Sequence, residues 1–217
     1  MPISKKILIE AVNRYKIEFA KLSHKTQGKT RNLAQHSFIW ALKDGDYQAL
    51  GDGICAGLAI KWIEYDVQNI DFIESLDKHR MEIYTVLGSK GKTTFGQDIV
   101  KSHLMQKDLQ KALTGTCTLT GKVKNFQYPY KSLSKALTKN HYYYVSSGSH
   151  ATAIKSNGTT VDFYDPNVGE IKELLPHHLP SYFKAAKEAS RLAQGKSIKG
   201  YSSTVYSDLQ MVQLSPN

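Results

Sequence analysis

The stretch His150–Asp165, HATAIKSNGTTVDFYD, decides how the chain reads. Asn157-Gly158 is the strongest short signal for a two-residue turn in which both central residues need positive φ, so the stretch reads as a β-hairpin. A turn centred there sets Ile154 opposite Val161, Thr152 opposite Phe163 and His150 opposite Asp165. Strand side chains alternate with period two, which puts all six on one face. The two apolar layers nearer the turn give that face a reason to be buried and so pin the register. At the open end an imidazole and a carboxylate stand about 5 Å apart at Cβ. Pro166 ends the strand, having no N–H for a ladder. Such a pair is consistent with an ordinary cross-strand contact. It becomes chemistry only beside a nucleophile, where the carboxylate fixes the imidazole tautomer and leaves the second ring nitrogen as a base.

A nucleophile is available in GDGICAGLAIKWIEYD, where Ile54, Leu58, Ala59, Trp62, Ile63 and Tyr65 recur at helical spacing. Asp52 is the candidate N-cap, which places Cys55 in the first turn. That turn carries unpaired N–H groups and the positive end of the helix dipole, and both favour a thiolate. A carboxylate at Asp52 opposes this in part. Gly53, Ala56 and Gly57 leave the thiol uncrowded. The competing reading is a buried cysteine acting as a small hydrophobe.

With 217 residues the chain is long enough for one domain with a sizeable core, and 41% hydrophobic with 22% charged residues is ordinary for a globular protein. No apolar run approaches the roughly 20 residues of a membrane span. The N-terminus, MPISKKILIEAVNRYK, mixes charged and apolar residues, lacks the apolar core of a signal peptide and reads as a helix capped by Ser4. Its Ile7, Ala11, Tyr15, Phe19 and Leu22 form the apolar face. A net charge of +10 favours acidic partners, whether nucleic acid, anionic lipid or acidic protein surfaces. Cys55 and Cys117 differ in context and form no CxxC or zinc-finger set, so neither a disulfide framework nor a metal is expected. Two such cysteines suit a reducing compartment.

Residues 23–32, rich in Lys and Thr, read as a surface loop or flap, and Asp44-Gly45-Asp46 breaks the short segment that follows. Amphipathic helices are expected at about residues 68–87 and 97–113. Between them Gly88-Ser89-Lys90-Gly91-Lys92-Thr93 fails the phosphate-loop pattern, because Val86 stands where it needs glycine. Cys117 lies in a Thr-rich, extended segment and reads as structural. A short helix near residues 131–138 precedes the aromatic strand HYYYVSS, which the turn Ser147-Gly148-Ser149 joins to the hairpin as a three-stranded meander. Residues 179–194 read as a helix and 203–214 as a last strand. His177-His178 reads as a helix-entry pair.

In GICAGLAIKW around Cys55, SHATAI around His150 and FYDPNVGEI around Asp165, the sequence resembles the YopT-like cysteine proteases of the papain-like clan. The last string is the most specific of the three, and together they cover about a ninth of the chain. The resemblance implies an α+β, papain-like fold: a helical N-terminal half carrying the cysteine, packed on a C-terminal antiparallel sheet carrying His and Asp, in a single domain over 1–217. It implies Cys55 as nucleophile, His150 as base and Asp165 as the residue that orients it, with no cofactor and no metal. It further implies a monomeric bacterial effector, secreted and acting in the host cytosol or at host membranes on a host protein such as a small GTPase. The polar side chain that such sites add to the oxyanion hole does not transfer, since Ala49 and Leu50 stand five or six residues before Cys55. Gln48, Asp52 or neither fills that role.

Two other classes compete. The same triad can transfer an acyl group to an amine or deamidate glutamine. A non-catalytic basic protein can bind anionic lipid or nucleic acid, although no nucleic-acid motif is present. A basic protein repels the polybasic tail of a prenylated GTPase, which favours contact with acidic surfaces.

Overall fold

The computed structural model describes residues 5–32, 54–79, 94–148, 150–194, 206 and 208–217. A single antiparallel sheet runs through it, in the strand order β1-β7-β6-β5-β4-β8-β2, with β3 also pairing β8. The strands are β1 (Lys29–Asn32), β2 (Cys117–Leu119), β3 (Lys124–Gln127), β4 (His141–Ser147), β5 (His150–Ser156), β6 (Val161–Asp165), β7 (Gly169–Leu174) and β8 (Asp208–Pro216). The helices are α1 (Lys5–Thr26), α2 (Cys55–Val67), α3 (Phe72–Lys78), α4 (Thr94–Leu104), α5 (Leu109–Ala112) and α6 (Leu179–Gln194). The architecture is α+β, as expected. None of the described helices is long and apolar enough to cross a membrane.

Alternation along the strands builds a core on each face of the sheet. Tyr143, Val145, Ile154, Phe163 and Met211 turn to one side and pack with Tyr15 and Phe19 of α1 and Tyr182 and Phe183 of α6. Tyr142, Tyr144, Ala151, Ala153, Tyr164 and Leu214 turn to the other, under α2, α4 and Phe72 of α3. Each fully buried large apolar side chain contributes about 1.5–3 kcal/mol. Because Ala56, Leu58, Ala59, Ile60, Trp62 and Ile63 are all buried, α2 is apolar nearly all round, the pattern of a helix enclosed by a sheet and a second helix. Gly57 faces α4 at backbone contact: a Cβ built there would lie 2.2 Å from the Ile99 carbonyl oxygen and 2.9 Å from the His103 Cβ.

Polar ties fix α2 on the sheet. The Trp62 indole donates to Glu170 Oε1 at 2.8 Å and stacks on Tyr164, with ring centroids 5.9 Å apart and planes at 3°. Glu170 is buried, and Arg31 of β1 answers its charge through Glu170 Oε2 (2.8 Å) while gripping Asp71, the N-cap of α3, with both terminal nitrogens. Near the last turn of α2, Asp66 receives the Tyr142 hydroxyl at 2.6 Å and the Lys155 ammonium at 2.7 Å.

Several local expectations need correction. Residues 23–32 are not a loop: α1 continues to Thr26, and β1 pairs with β7 along the sheet edge. The segment 97–113 is two helices, since the Asp108 side chain accepts from the Lys111 N–H and starts α5 anew. The helix expected over 68–87 begins at Phe72, where Asp71 caps it, and runs to Lys78, while residues 80–87 lie outside the described residues. A strand not anticipated, β7, follows the Asp165 turn. Ser4, the segment 33–53 with Gln48 and Asp52, and Gly88–Thr93 lie outside the described residues. The helix at 179–194 and the meander at 141–165 are as expected, and His177-His178 does enter α6.

Gly57→Ala is expected to cost about 1–3 kcal/mol through overpacking against α4. Trp62→Phe keeps the stacking ring but leaves the buried Glu170 short of a donor, at about 1–3 kcal/mol. Urea unfolding of each variant measures both.

Candidate active site

The hairpin β5–β6 carries His150 and Asp165, in a register two positions from expectation. Ile154 faces Phe163 and Ser156 faces Val161, because the turn centres on Gly158-Thr159 instead of Asn157-Gly158. The cause is the Asn157 side chain, whose Oδ1 accepts from the Thr159 N–H (3.0 Å) and the Thr160 N–H (2.7 Å), holding Asn157 as the first residue of the turn. Gly158 takes the positive φ (98°) that the turn requires. Each partner thereby moves by two positions along the opposite strand, which preserves the face. His150 and Asp165 are diagonal neighbours instead of directly opposed, and His150 Nε2 lies 2.8 Å from Asp165 Oδ1.

The string Asp165-Pro166-Asn167-Val168-Gly169 makes the tight connection to β7. Val168 N–H returns to the Asp165 carbonyl at 3.0 Å, Asn167 N–H donates to Asp165 Oδ1 at 2.9 Å, and Gly169 sits at φ 120°. The carboxylate is fully buried, so each oxygen needs a donor. Oδ1 serves the imidazole and the Asn167 N–H, while Oδ2 accepts from the Tyr206 hydroxyl at 3.0 Å. Tyr15 also faces this carboxylate; burial first, then the Asp165 charge, holds its phenol well above the usual range.

Cys55 comes from the other side of the sheet. It is the first residue of α2, with Ile54 in the cap position; Asp52, the expected cap, lies outside the described residues. At 5% exposure the thiol is more enclosed than its small neighbours suggest, and Gly57 serves the contact with α4. Cys55 lies close enough to His150 to act on the charge of its imidazole. With Nε2 turned to Asp165, Nδ1 is the ring nitrogen left for a second partner. Burial disfavours charge on this imidazole, yet the Asp165 carboxylate and Cys55 outweigh it and push His150 up to about 10. The structure therefore brings the three residues singled out from the sequence into one chain of contacts.

Cys117 behaves differently. Burial first, then the charge of Glu64, pushes its thiol up to about 11. Neither cysteine is in a disulfide. Among the described residues no group of three or more His, Cys, Asp or Glu is placed to hold a metal ion. Tyr206, Trp62 and Glu170 shape the site without having been marked in the sequence as functional. Trp62 and Glu170 were present in the quoted strings, whereas Tyr206 stands in no pattern that points to Asp165.

The sequence matches the Peptidase_C58 family, described as Yersinia/Haemophilus virulence surface antigen, over residues 10–199. No curated protein matches it. Among solved structures it is similar to the Pseudomonas avirulence protein AvrPphB, at 12% identity and a TM-score of 0.43, covering 82% of this chain and 99% of that one. It is also similar to PatoxP, a cysteine protease-like domain of the Photorhabdus asymbiotica toxin PaTox, at 14% identity and a TM-score of 0.48. That alignment covers 94% of this chain and 59% of the other. Since the family match takes in α2, the hairpin and the Asp165 turn, this chain belongs to the Peptidase_C58 family of virulence antigens.

Proposed function

We propose that the protein is a cysteine endopeptidase in which Cys55 is the nucleophile, His150 the general base and acid, and Asp165 the residue that orients the ring. The observation that carries this reading is the imidazole held between two partners, Asp165 Oδ1 at 2.8 Å and the Cys55 thiol. An imidazole stabilised in its charged form is a partner that can take the proton of the thiol as the sulfur attacks. The sulfur attacks the scissile carbonyl carbon, and the imidazolium gives its proton to the leaving amine as the C–N bond breaks. Water, deprotonated by the same imidazole, then splits the thioester and regenerates the thiol. The N–H of Cys55, at the open start of α2, supports a role in stabilising the oxyanion.

The chain acts as one catalytic domain over 1–217, and its substrate is a host protein met after secretion, in the host cytosol or at an anionic membrane. Membership of a family of virulence antigens supports this setting. A small GTPase is a candidate, and the net charge of +10 favours an acidic contact surface on it over a polybasic tail.

Cys55→Ala, His150→Ala and Asp165→Ala are each expected to reduce turnover at least a hundredfold while the circular dichroism spectrum stays unchanged. Terminal proteomics on cells producing wild type or Cys55→Ala identifies the cut sites, and a product that keeps its backbone length turns the reading to acyl transfer or deamidation. The pH dependence of stability gives a separate test. His150 is raised from about 6.5 in the unfolded chain to about 10 in the fold. Its contribution is therefore complete below pH 6.5 or so and is lost as pH rises through about 10. Thermal melts from pH 6 to pH 10 are expected to fall more steeply in wild type than in His150→Gln; equal slopes would show that no such ion pair exists.

A further inference from the structure

The buried tyrosine between α6 and β8 is bound more tightly than packing requires. Tyr206 is 4% exposed, and its ring lies against Phe183, Tyr15 and, at 5.4 Å between centroids, the ring of His150. Its backbone adopts φ 59°, a left-handed conformation uncommon for a residue with a side chain. Both of its main-chain groups are occupied: the N–H donates to Ser147 Oγ, and the carbonyl accepts from the Tyr130 hydroxyl. A strained backbone held at both groups aims the side chain in one direction. That direction ends on Asp165 Oδ2, at 3.0 Å.

A phenylalanine would fill the apolar space equally well, so packing explains the ring and leaves the hydroxyl unexplained. Burial first, then the Asp165 charge, holds the phenol well above its usual range, which keeps it a donor at any working pH. Asp165 Oδ1 has two donors of its own, from His150 and the Asn167 N–H. Oδ2 accepts from Tyr206, while the Tyr15 hydroxyl faces the same carboxylate without making a hydrogen bond to it; a buried carboxylate oxygen that loses its donor can rotate to take the imidazole for itself.

We propose that Tyr206 is a positioning residue: its hydroxyl locks the Asp165 carboxylate, and its ring backs the His150 imidazole, so that Nδ1 is presented to Cys55. The proposal rests on the reading of Cys55, His150 and Asp165 as the catalytic set, and it adds a fourth residue that touches neither substrate nor sulfur. Ser147 takes part at one remove, through the Tyr206 N–H.

The test is the rate of iodoacetamide alkylation of Cys55 between pH 5 and pH 9, read by peptide mass mapping with Cys117 as the internal reference. It needs no knowledge of the substrate. Tyr206→Phe is expected to slow alkylation about ten- to a hundredfold, the effect of losing one hydrogen bond to a charge, and to flatten its pH profile. The same substitution made in Asp165→Asn is expected to cost less than twofold, because a residue acting through Asp165 has nothing left to act on. Ser147→Ala, which frees the Tyr206 backbone, is expected to give a smaller loss that Asp165→Asn likewise suppresses, and it decides the matter if Tyr206→Phe does not fold. Alkylation of Tyr206→Phe at the wild-type rate, or an equal loss in the Asp165→Asn background, overturns the role of Tyr206 alone. Wild-type Cys55 reacting no faster than Cys117 overturns the catalytic reading itself, and this proposal with it.

Discussion

The contact on which the rest of the site depends is the hydrogen bond from the Trp62 indole to the buried Glu170 carboxylate. It joins the helix that begins with the thiol to the strand that follows the Asp165 turn. A buried carboxylate is costly unless its charge is answered. Here Arg31 answers it from the sheet edge, and by also holding Asp71 it draws the start of α3 to the same point. The stacking of Trp62 on Tyr164 sets how α2 lies on β6. With Asp66 anchored to Tyr142 and Lys155 near its other end, α2 has little freedom to slide or roll. A nucleophile held on a rigid element can be placed against its base far more accurately than one held on a loop.

Asp165 combines two tasks that are commonly separate. Its side chain shapes the turn by accepting the Asn167 N–H, and the same oxygen holds the imidazole. The local backbone thereby sets the position of the carboxylate before any contact with α2 forms. Pro166 and Gly169 complete this geometry, the one unable to continue the strand ladder and the other able to take φ 120°. The Glu170 that follows belongs to the tie with Trp62. The string FYDPNVGEI thus reads physically as a carboxylate that holds an imidazole, a turn and an anchor in succession.

Much of this was legible because it is written in short-range patterns. The aromatic and alternating strands, the helix at 179–194 and the apolar run after Cys55 all follow from periodicity. The hairpin survived a wrong turn assignment because a shift of two positions keeps every side chain on its face; a shift of one would have put His150 and Ile154 on the opposite face of the sheet from Phe163 and Asp165. The edge strand β1 was missed because Lys-Thr-Arg-Asn shows no apolar alternation, its pairing with β7 being held by main-chain bonds and Arg31. The break at Asp108 was hidden because the apolar spacing continues across it. Tyr206 was illegible for a different reason. Its partner lies 41 positions away, and only the folded chain brings the two hydroxyl-to-carboxylate ends together.

The sheet separates two apolar interiors, and the reacting groups straddle it. Cys55 belongs to the interior beneath α2 and α4, whereas the positions of His150 and Asp165 point toward the one beneath α1 and α6. The sulfur meets the ring only when both interiors have closed on the same sheet. On the proposed reading, competence therefore depends on both interiors at once. Loosening of either one alone would part the sulfur from the ring and leave the proposed site unassembled, whatever helix or sheet remained.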